Sequence, residues 1–304
     1  MNGPRVAVVP EGVRPWLADA VTAGGGEVVA IDDAEALVWT ETGRAGELAS
    51  VLAAAPHIRW VQLPWAGIEP FASVLDPERM WTCGKGVYAE PVAEHALALL
   101  LAGLRHLGAY ARTDRWSAPS GRNLLDGRVT ILGGGGITES LLRLLGPFNT
   151  TTTVVRKRVA PLDGAARVVG LDDLDDTLAD ADGVVVALAL TPETAGVIDR
   201  VRLARMPDHA WLVNVARGRH VVTDDLVAAL RDGEIGGAGL DVTDPEPLPD
   251  GHALWTLPNC IVTPHTANTP EMALPLLSAR IAENVRRYAS GRPLLGPVDP
   301  ALGY

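Results

Sequence analysis

Three short segments of this chain set polar residues in otherwise apolar company. They are Asn214-Val215-Ala216-Arg217-Gly218, Leu240-Asp241-Val242 running on to Pro245-Glu246-Pro247, and Thr263-Pro264-His265-Thr266-Ala267. Each follows a β-rich run. An arginine, a carboxylate and an imidazole in that order suit the reduction of a 2-oxo acid. That reaction needs a hydride donor, a proton donor for the carbonyl oxygen, and a cation to hold and polarise the substrate. His265 is the natural proton donor, because imidazole titrates near physiological pH. Glu246 suits its other ring nitrogen and would favour the imidazolium form. Arg217 suits the substrate's carboxylate and 2-oxo group through paired hydrogen bonds. Singly, an arginine after a strand reads as surface and Pro-Glu-Pro as a turn; it is the set, in chain order after a glycine turn, that points to catalysis. His57, His106, His209, His220 and His252 have no comparable context and read as structural or solvated. His95, beside Glu94 on a long helix, is a pocket candidate.

A hydride donor has a place to bind. Val129–Leu132 runs into Gly133-Gly134-Gly135-Gly136-Ile137-Thr138 and then a helical stretch. Strand, glycine turn and helix in succession make a dinucleotide fingerprint. Gly133 allows the tight turn. Gly135 allows backbone N–H groups to approach a pyrophosphate at the helix N-terminus, where the helix dipole favours negative charge. Gly136 and Ile137 complete the candidate cradle. Thr138 stands where the usual third glycine would be, which puts close helix–strand packing in question. The next strand ends Arg156-Lys157-Arg158, Arg156 lying 23 residues after Gly133 (156 less 133). An NAD-specific site places an acid about there for the ribose 2′-OH. Three cations instead suit a 2′-phosphate, which arginine can bond with both arms of its fork. The alternative is a solvated basic strand end. NADP(H) is therefore the preferred cofactor and NAD(H) the second.

Such residues need strand ends to carry them. In the first third, Arg5–Pro10, Glu27–Ile31, Ala36–Thr40 and Ile58–Leu63 read as buried strands bounded by Gly, Pro or Asp, alternating with helical stretches. Glu90–Leu107 is an apolar-periodic stretch with no internal breaker, and predicts one long helix. After Gly127 a second series predicts strands at 129–132, 151–157, 183–190, 211–216, 237–242 and 260–264. Helices are predicted at 139–146, 224–233 and about 276–290. The fold class is α/β with two doubly wound parallel sheets.

The chain has 304 residues, about two domains at roughly 150 residues each. Its net charge of −11, from 26 Lys+Arg against 37 Asp+Glu, argues against a nucleic-acid partner. The longest apolar run, around Ala96–Leu104, is too short to span a bilayer. The start, MNGPRVAVVPEG, has no secretory pattern. Cys83 and Cys260 read as buried reduced thiols. No metal is implied, since the acids and histidines show no ligand spacing. These features together read as a cytoplasmic protein.

NVARG, LDVTDPEPLP and TPHTA, with AEHALALLLAGLRHL and the glycine turn, resemble the D-isomer-specific 2-hydroxyacid dehydrogenase family over nearly the whole chain. The resemblance implies a Rossmann-like nucleotide domain, 98–283, inserted into a flavodoxin-like catalytic domain, 1–97 and 284–304. It implies a homodimer acting on a small 2-oxo or 2-hydroxy acid. It assigns Arg217 to substrate binding, Glu246 to orienting His265, His265 to acid/base work, and Asp241 to the nicotinamide amide. Ala66-Gly67-Ile68 match the loop whose N–H groups hold the substrate carboxylate. Thr191-Pro192-Glu193-Thr194 match a loop beside the nicotinamide ribose, so Leu190, Thr191 and Ala216 join the cofactor contacts. Arg156, where most NAD-using members have Asp, is the pattern of the family's glyoxylate/hydroxypyruvate reductases and points to reduction with NADPH. Trp65, Tyr88, His95 and Trp116 are candidates for lining the substrate pocket; Trp65 equally suits a core position. The alternatives are a nucleotide-sensing, co-repressor-like binding protein and an NAD-dependent phosphoglycerate or other hydroxyacid dehydrogenase.

Overall fold

The computed structural model describes residues 3–10, 12, 14, 16–41 and 44–300. The chain divides into two compact units, Met1–Tyr88 with Thr269–Tyr304, and Ala89–Asn268.

The first unit begins β1 (Arg5–Val9), α1 (Trp16–Ala23), β2 (Glu27–Val28), β3 (Ala36–Trp39), α2 (Ala45–Ala54), β4 (Trp60–Gln62) and β5 (Met80–Thr82). The strands are parallel in the order β2-β1-β3-β4-β5. The apolar runs of β3 and β4 are buried throughout. β2 departs from expectation: it is two exposed residues rather than a buried strand over 27–31, because it lies at the sheet edge and pairs only with β1. β5 was not foreseen in the sequence; three residues are too few to show a period. Inside this unit Gln62, wholly buried, accepts hydrogen bonds from Thr82 Oγ1 at 2.8 Å and Asn284 Nδ2 at 3.0 Å. Those bonds satisfy a polar side chain that would otherwise destabilise the core, and they fix the chain where it leaves β4 for residues 64–68.

The second unit runs α3 (Ala89–Leu104), α4 (Leu107–Tyr110), β6 (Arg128–Leu132), α5 (Gly136–Leu145), β7 (Thr151–Val155), β8 (Arg167–Val169), α6 (Leu174–Leu178), β9 (Gly183–Val186), α7 (Arg200–Leu203), β10 (Trp211–Asn214), α8 (Thr223–Asp232), β11 (Gly237–Leu240) and β12 (Cys260–Val262). Its sheet is parallel in the order β12-β11-β10-β9-β6-β7-β8. The order reverses between β6 and β9, the position where open α/β sheets receive ligands at the carboxyl ends of their strands. α3 crosses this sheet at close range: a Cβ on Gly103 would stand 2.2 Å from the Trp211 ring, and one on Gly239 2.9 Å from Leu99 Cβ. The expected single helix over 90–107 ends at Leu104. His106 takes a left-handed conformation (φ 51°), and α4 restarts after it. α5 begins three residues before the expected start, inside the glycine turn itself.

The chain then returns to the first unit as α9 (Pro270–Ala289), which packs on α1. Thr269 caps it and Pro270 opens it. It starts six residues before the expected 276, because Pro275, a residue that ordinarily breaks a helix, is carried within it. Beyond α9, Val298 N–H bonds to Trp81 O at 2.9 Å and Cys83 N–H to Gly296 O at 2.9 Å. The boundaries of these compact units fall at the start of α3 and just before α9. Cys83 and Cys260 are buried and unpaired, and burial pushes the Cys260 thiol up to about 12. Among the described residues no helix is long and apolar enough to cross a membrane.

Candidate functional site

The carboxyl ends of β6, β7, β9, β10, β11 and β12 carry the second-unit residues singled out from the sequence, except His95, which lies on α3, and Trp116, which lies between α4 and β6. After β6 the turn is built as the glycines demand. Gly133 has φ +118°, and a Cβ there would lie 2.3 Å from Ala187 O, beyond the end of β9. A Cβ on Gly135 would meet nothing within 4 Å, so backbone at the head of the ten-residue helix α5 faces open space. Thr138, in place of the third glycine, is wholly buried and donates its hydroxyl to Gly133 O at 3.0 Å. The substitution thus closes the turn instead of loosening it, and settles the packing question raised by its sequence.

The basic triplet sits next to this turn. The Arg156 side chain lies across Gly134, where a Cβ would stand 2.6 Å from Arg156 Cδ. Lys157 and Arg158 are exposed, and Lys157 Nζ stands 3.7 Å from Glu193 Oε2. Open N–H groups at a helix head, with an arginine folded over the turn, fit the pyrophosphate and 2′-phosphate of a phosphorylated dinucleotide. Beyond β9, the Thr191 N–H donates to Thr194 Oγ1 at 2.8 Å, and that hydroxyl donates to Ala189 O at 2.8 Å. This knot fixes Leu190 and Thr191.

Beyond β10, buried Asn214 accepts the Ala216 N–H on Oδ1 at 3.1 Å and donates Nδ2 to Arg217 O at 2.9 Å. The Arg217 N–H donates to His220 Nδ1 at 3.2 Å, and the Arg217 guanidinium donates to Ala216 O at 2.7 Å. Burial lowers the His220 pKa, outweighing the backbone carbonyls of Ala189 and Arg217 that pull it up. His220 therefore braces the arginine turn as a neutral ring.

Beyond β11 and β12, Glu246 Oε1 stands 2.6 Å from His265 Nδ1. Both side chains are partly open to solvent. The rest of the His265 loop is anchored on Asp241, which is almost wholly buried. The His265 N–H donates to Asp241 O at 2.9 Å; Thr266 N–H donates to Oδ1 at 2.8 Å, and Ala267 N–H to Oδ2 at 3.1 Å. Burial pushes the Asp241 carboxyl up, but hydrogen bonds from His95, Thr263, Thr266 and Ala267 together outweigh it and hold the group below its ordinary value. The carboxylate stays charged among donors.

Ala66, Gly67 and Ile68 lie in the first unit, after β4. Trp65 is half-buried, its ring tilted against Tyr88 at 5.4 Å, with the Arg14 guanidinium 5.2 Å from its centre. The Tyr88 hydroxyl donates to Pro64 O at 3.0 Å, and Gly84 N–H to Trp65 O at 2.9 Å. Trp65 is thus half-buried between the Tyr88 ring and the Arg14 guanidinium. The sequence reading passed over Asn214, Thr263 and His220 as site residues; Asn214 and Thr263 lie inside the motifs it quoted, and their position at strand ends was the available signal.

The family model of the D-isomer-specific 2-hydroxyacid dehydrogenase NAD-binding domain matches residues 97–267, more than half of the chain. The chain belongs to the D-isomer-specific 2-hydroxyacid dehydrogenase family. It is 38% identical over 295 residues to a protein from the proB 3′ region of Corynebacterium melassecola, covering 94% of this chain and 95% of that one. It is 31% identical over 231 residues to glyoxylate/hydroxypyruvate reductase A of Photorhabdus laumondii, covering 74% and 72%. A solved D-isomer-specific 2-hydroxyacid dehydrogenase of Xanthobacter autotrophicus, in complex with NADPH and MES, is 29% identical and superposes over the whole of both chains with a TM-score of 0.85. This 2-hydroxyacid dehydrogenase is accordingly an oxidoreductase with its NAD-binding domain in the second unit, and nothing favours the binding-protein alternative.

Proposed function

We propose that this dehydrogenase works as an NADPH-dependent reductase of small 2-oxo acids, giving D-2-hydroxy acids. The observation that carries the reading is the 2.6 Å contact between His265 Nδ1 and Glu246 Oε1, at strand ends of the sheet that bears the glycine turn. When bound, NADPH supplies the hydride to the 2-oxo carbon. The Arg217 guanidinium holds the substrate carboxylate and polarises the 2-oxo oxygen. His265 gives its Nε2 proton to that oxygen, completing the hydroxyl, while Glu246 keeps Nδ1 protonated and the ring oriented. N–H groups of Ala66, Gly67 and Ile68 hold the carboxylate. Gly133, Gly135, Gly136 and Ile137 receive the pyrophosphate, Arg156, Lys157 and Arg158 the 2′-phosphate, and Leu190, Thr191, Ala216 and Asp241 the nicotinamide half. The triplet supports NADP(H) over NAD(H), as does the NADPH bound to the Xanthobacter relative.

The enzyme acts as a cytoplasmic homodimer in this reading. Trp116 supports the dimer: it stands wholly exposed in a stretch, 111–123, that is exposed throughout, and an indole on open surface is what a second copy would cover. The test is oxidation of NADPH and NADH, side by side, with glyoxylate, hydroxypyruvate, pyruvate and phenylpyruvate. Turnover with NADPH well above NADH supports the reading. Preference for NADH removes the role of the triplet and leaves the catalytic trio. No turnover with either cofactor, despite tight nucleotide binding, overturns the reductase.

A further inference from the structure

His265 is held in an unusual backbone state. Its φ of +51° lies in the left-handed region, which the Cβ of an L-residue disfavours. Such a state persists only where its surroundings over-determine it. Here those surroundings are the Asp241 carbonyl and carboxylate, which between them take the N–H groups of 265, 266 and 267.

Asp241 is itself oriented. The Thr263 hydroxyl lies 2.6 Å from Asp241 Oδ1, and a carboxylate can only accept, so the hydroxyl proton is committed to it. The Thr263 oxygen is then left as an acceptor. His95 Nε2 stands 3.0 Å from that oxygen and 3.4 Å from Asp241 Oδ1. Both neighbours are acceptors, so the nitrogen must carry a proton. His95 sits on α3, the helix pressed against the sheet through Gly103 and Gly239, and among the described residues it is the helix-borne donor to this network.

We propose that His95, as an Nε2–H donor to Thr263 and Asp241, is a positioning residue that fixes the His265 loop in its left-handed geometry. The inference rests on the reading of His265 as proton donor, since only then does the position of its ring set the rate. His95 touches neither reactant; it acts through Thr263 and Asp241.

The test compares His95→Phe, which removes the donor and keeps bulk, with His95→Gln, whose amide restores an N–H at similar reach. Backbone hydrogen exchange over 265–267 and steady-state kinetics are followed in each. In His95→Phe the amides of 265–267 exchange faster, and kcat falls about tenfold to a hundredfold, as expected for a small misplacement of a reacting group, with KM for both substrates within about twofold. His95→Gln recovers both. If His95→Phe fails to fold, Thr263→Val removes the acceptor and carries the same expectations, with Thr263→Ser as its rescue. Unchanged exchange over 265–267, or a glutamine variant no better than phenylalanine, overturns the proposal. Failure of the reductase reading shows differently: wild type then turns over no 2-oxo acid, while the exchange result still decides whether His95 positions the loop.

Discussion

Arg156 and Gly134 share one space. The arginine's Cδ, Nε and Cζ all lie within 3 Å of where a Cβ on Gly134 would stand, so the side chain rests on the glycine turn only because that residue has none. The first prediction concerns this pair. Arg156→Gln lowers kcat/KM for NADPH about tenfold or more, the scale of one lost charged hydrogen bond, and leaves NADH within about twofold. Gly134→Val, which displaces the arginine without removing it, shifts the NADPH/NADH ratio the same way. Steady-state kinetics with both cofactors check it; equal losses with both would show that Arg156 does not read the 2′-phosphate.

His265→Ala removes the proposed proton donor and lowers kcat about a hundredfold to ten-thousandfold, with cofactor affinity by fluorescence titration unchanged. Glu246→Gln gives a smaller loss, because Nδ1 keeps a hydrogen-bonding partner but no carboxylate. A His265→Ala variant retaining most of its kcat would remove the assigned role.

His220 predicts a pH dependence of stability. Its pKa in the folded protein lies below that of the unfolded chain, about 6.5. Above that value both states are neutral and its contribution is fully present. As pH falls below it, the unfolded chain takes up a proton that the buried ring resists, so stability is lost down to the folded value. Urea unfolding between pH 7.5 and 5 is therefore less steep in His220→Asn, whose Oδ1 can still accept the Arg217 N–H. Identical slopes would mean the ring does not resist protonation.

Trp116→Ser weakens self-association about thirtyfold, the scale of truncating one interface tryptophan. Sedimentation velocity across a concentration series reads it. A wild type that sediments as a monomer at every concentration would remove the dimer.

The proposed catalytic trio was legible in the sequence because each member follows an apolar strand, and strand ends in a parallel sheet face one side. The glycine turn was legible for the same reason, with strand and helix on either hand. What stayed hidden depends on partners far along the chain. His95 meets Thr263 across 168 residues, and no local pattern on α3 marks that contact. Thr138 is a departure by motif, yet its hydroxyl serves the turn, which only the Gly133 carbonyl position reveals. His220 reads as an ordinary histidine until its ring is seen taking the Arg217 N–H. β5 and β8 are too short to show a period, and Pro275 hides the first turns of α9.

The left-handed backbone at His265 sets activity against robustness. A glycine at that position would occupy the same conformation without the penalty, so the fold would gain, by roughly 1 kcal/mol, from losing its proposed proton donor, less whatever the imidazole's bond to Glu246 contributes. Variation selected for thermal endurance alone would drift toward removing the histidine; selection for turnover would keep it. His265→Gly should then be a sound, folded protein with a vacancy the size of an imidazole ring, a natural host for restoring turnover with free imidazole added to the buffer.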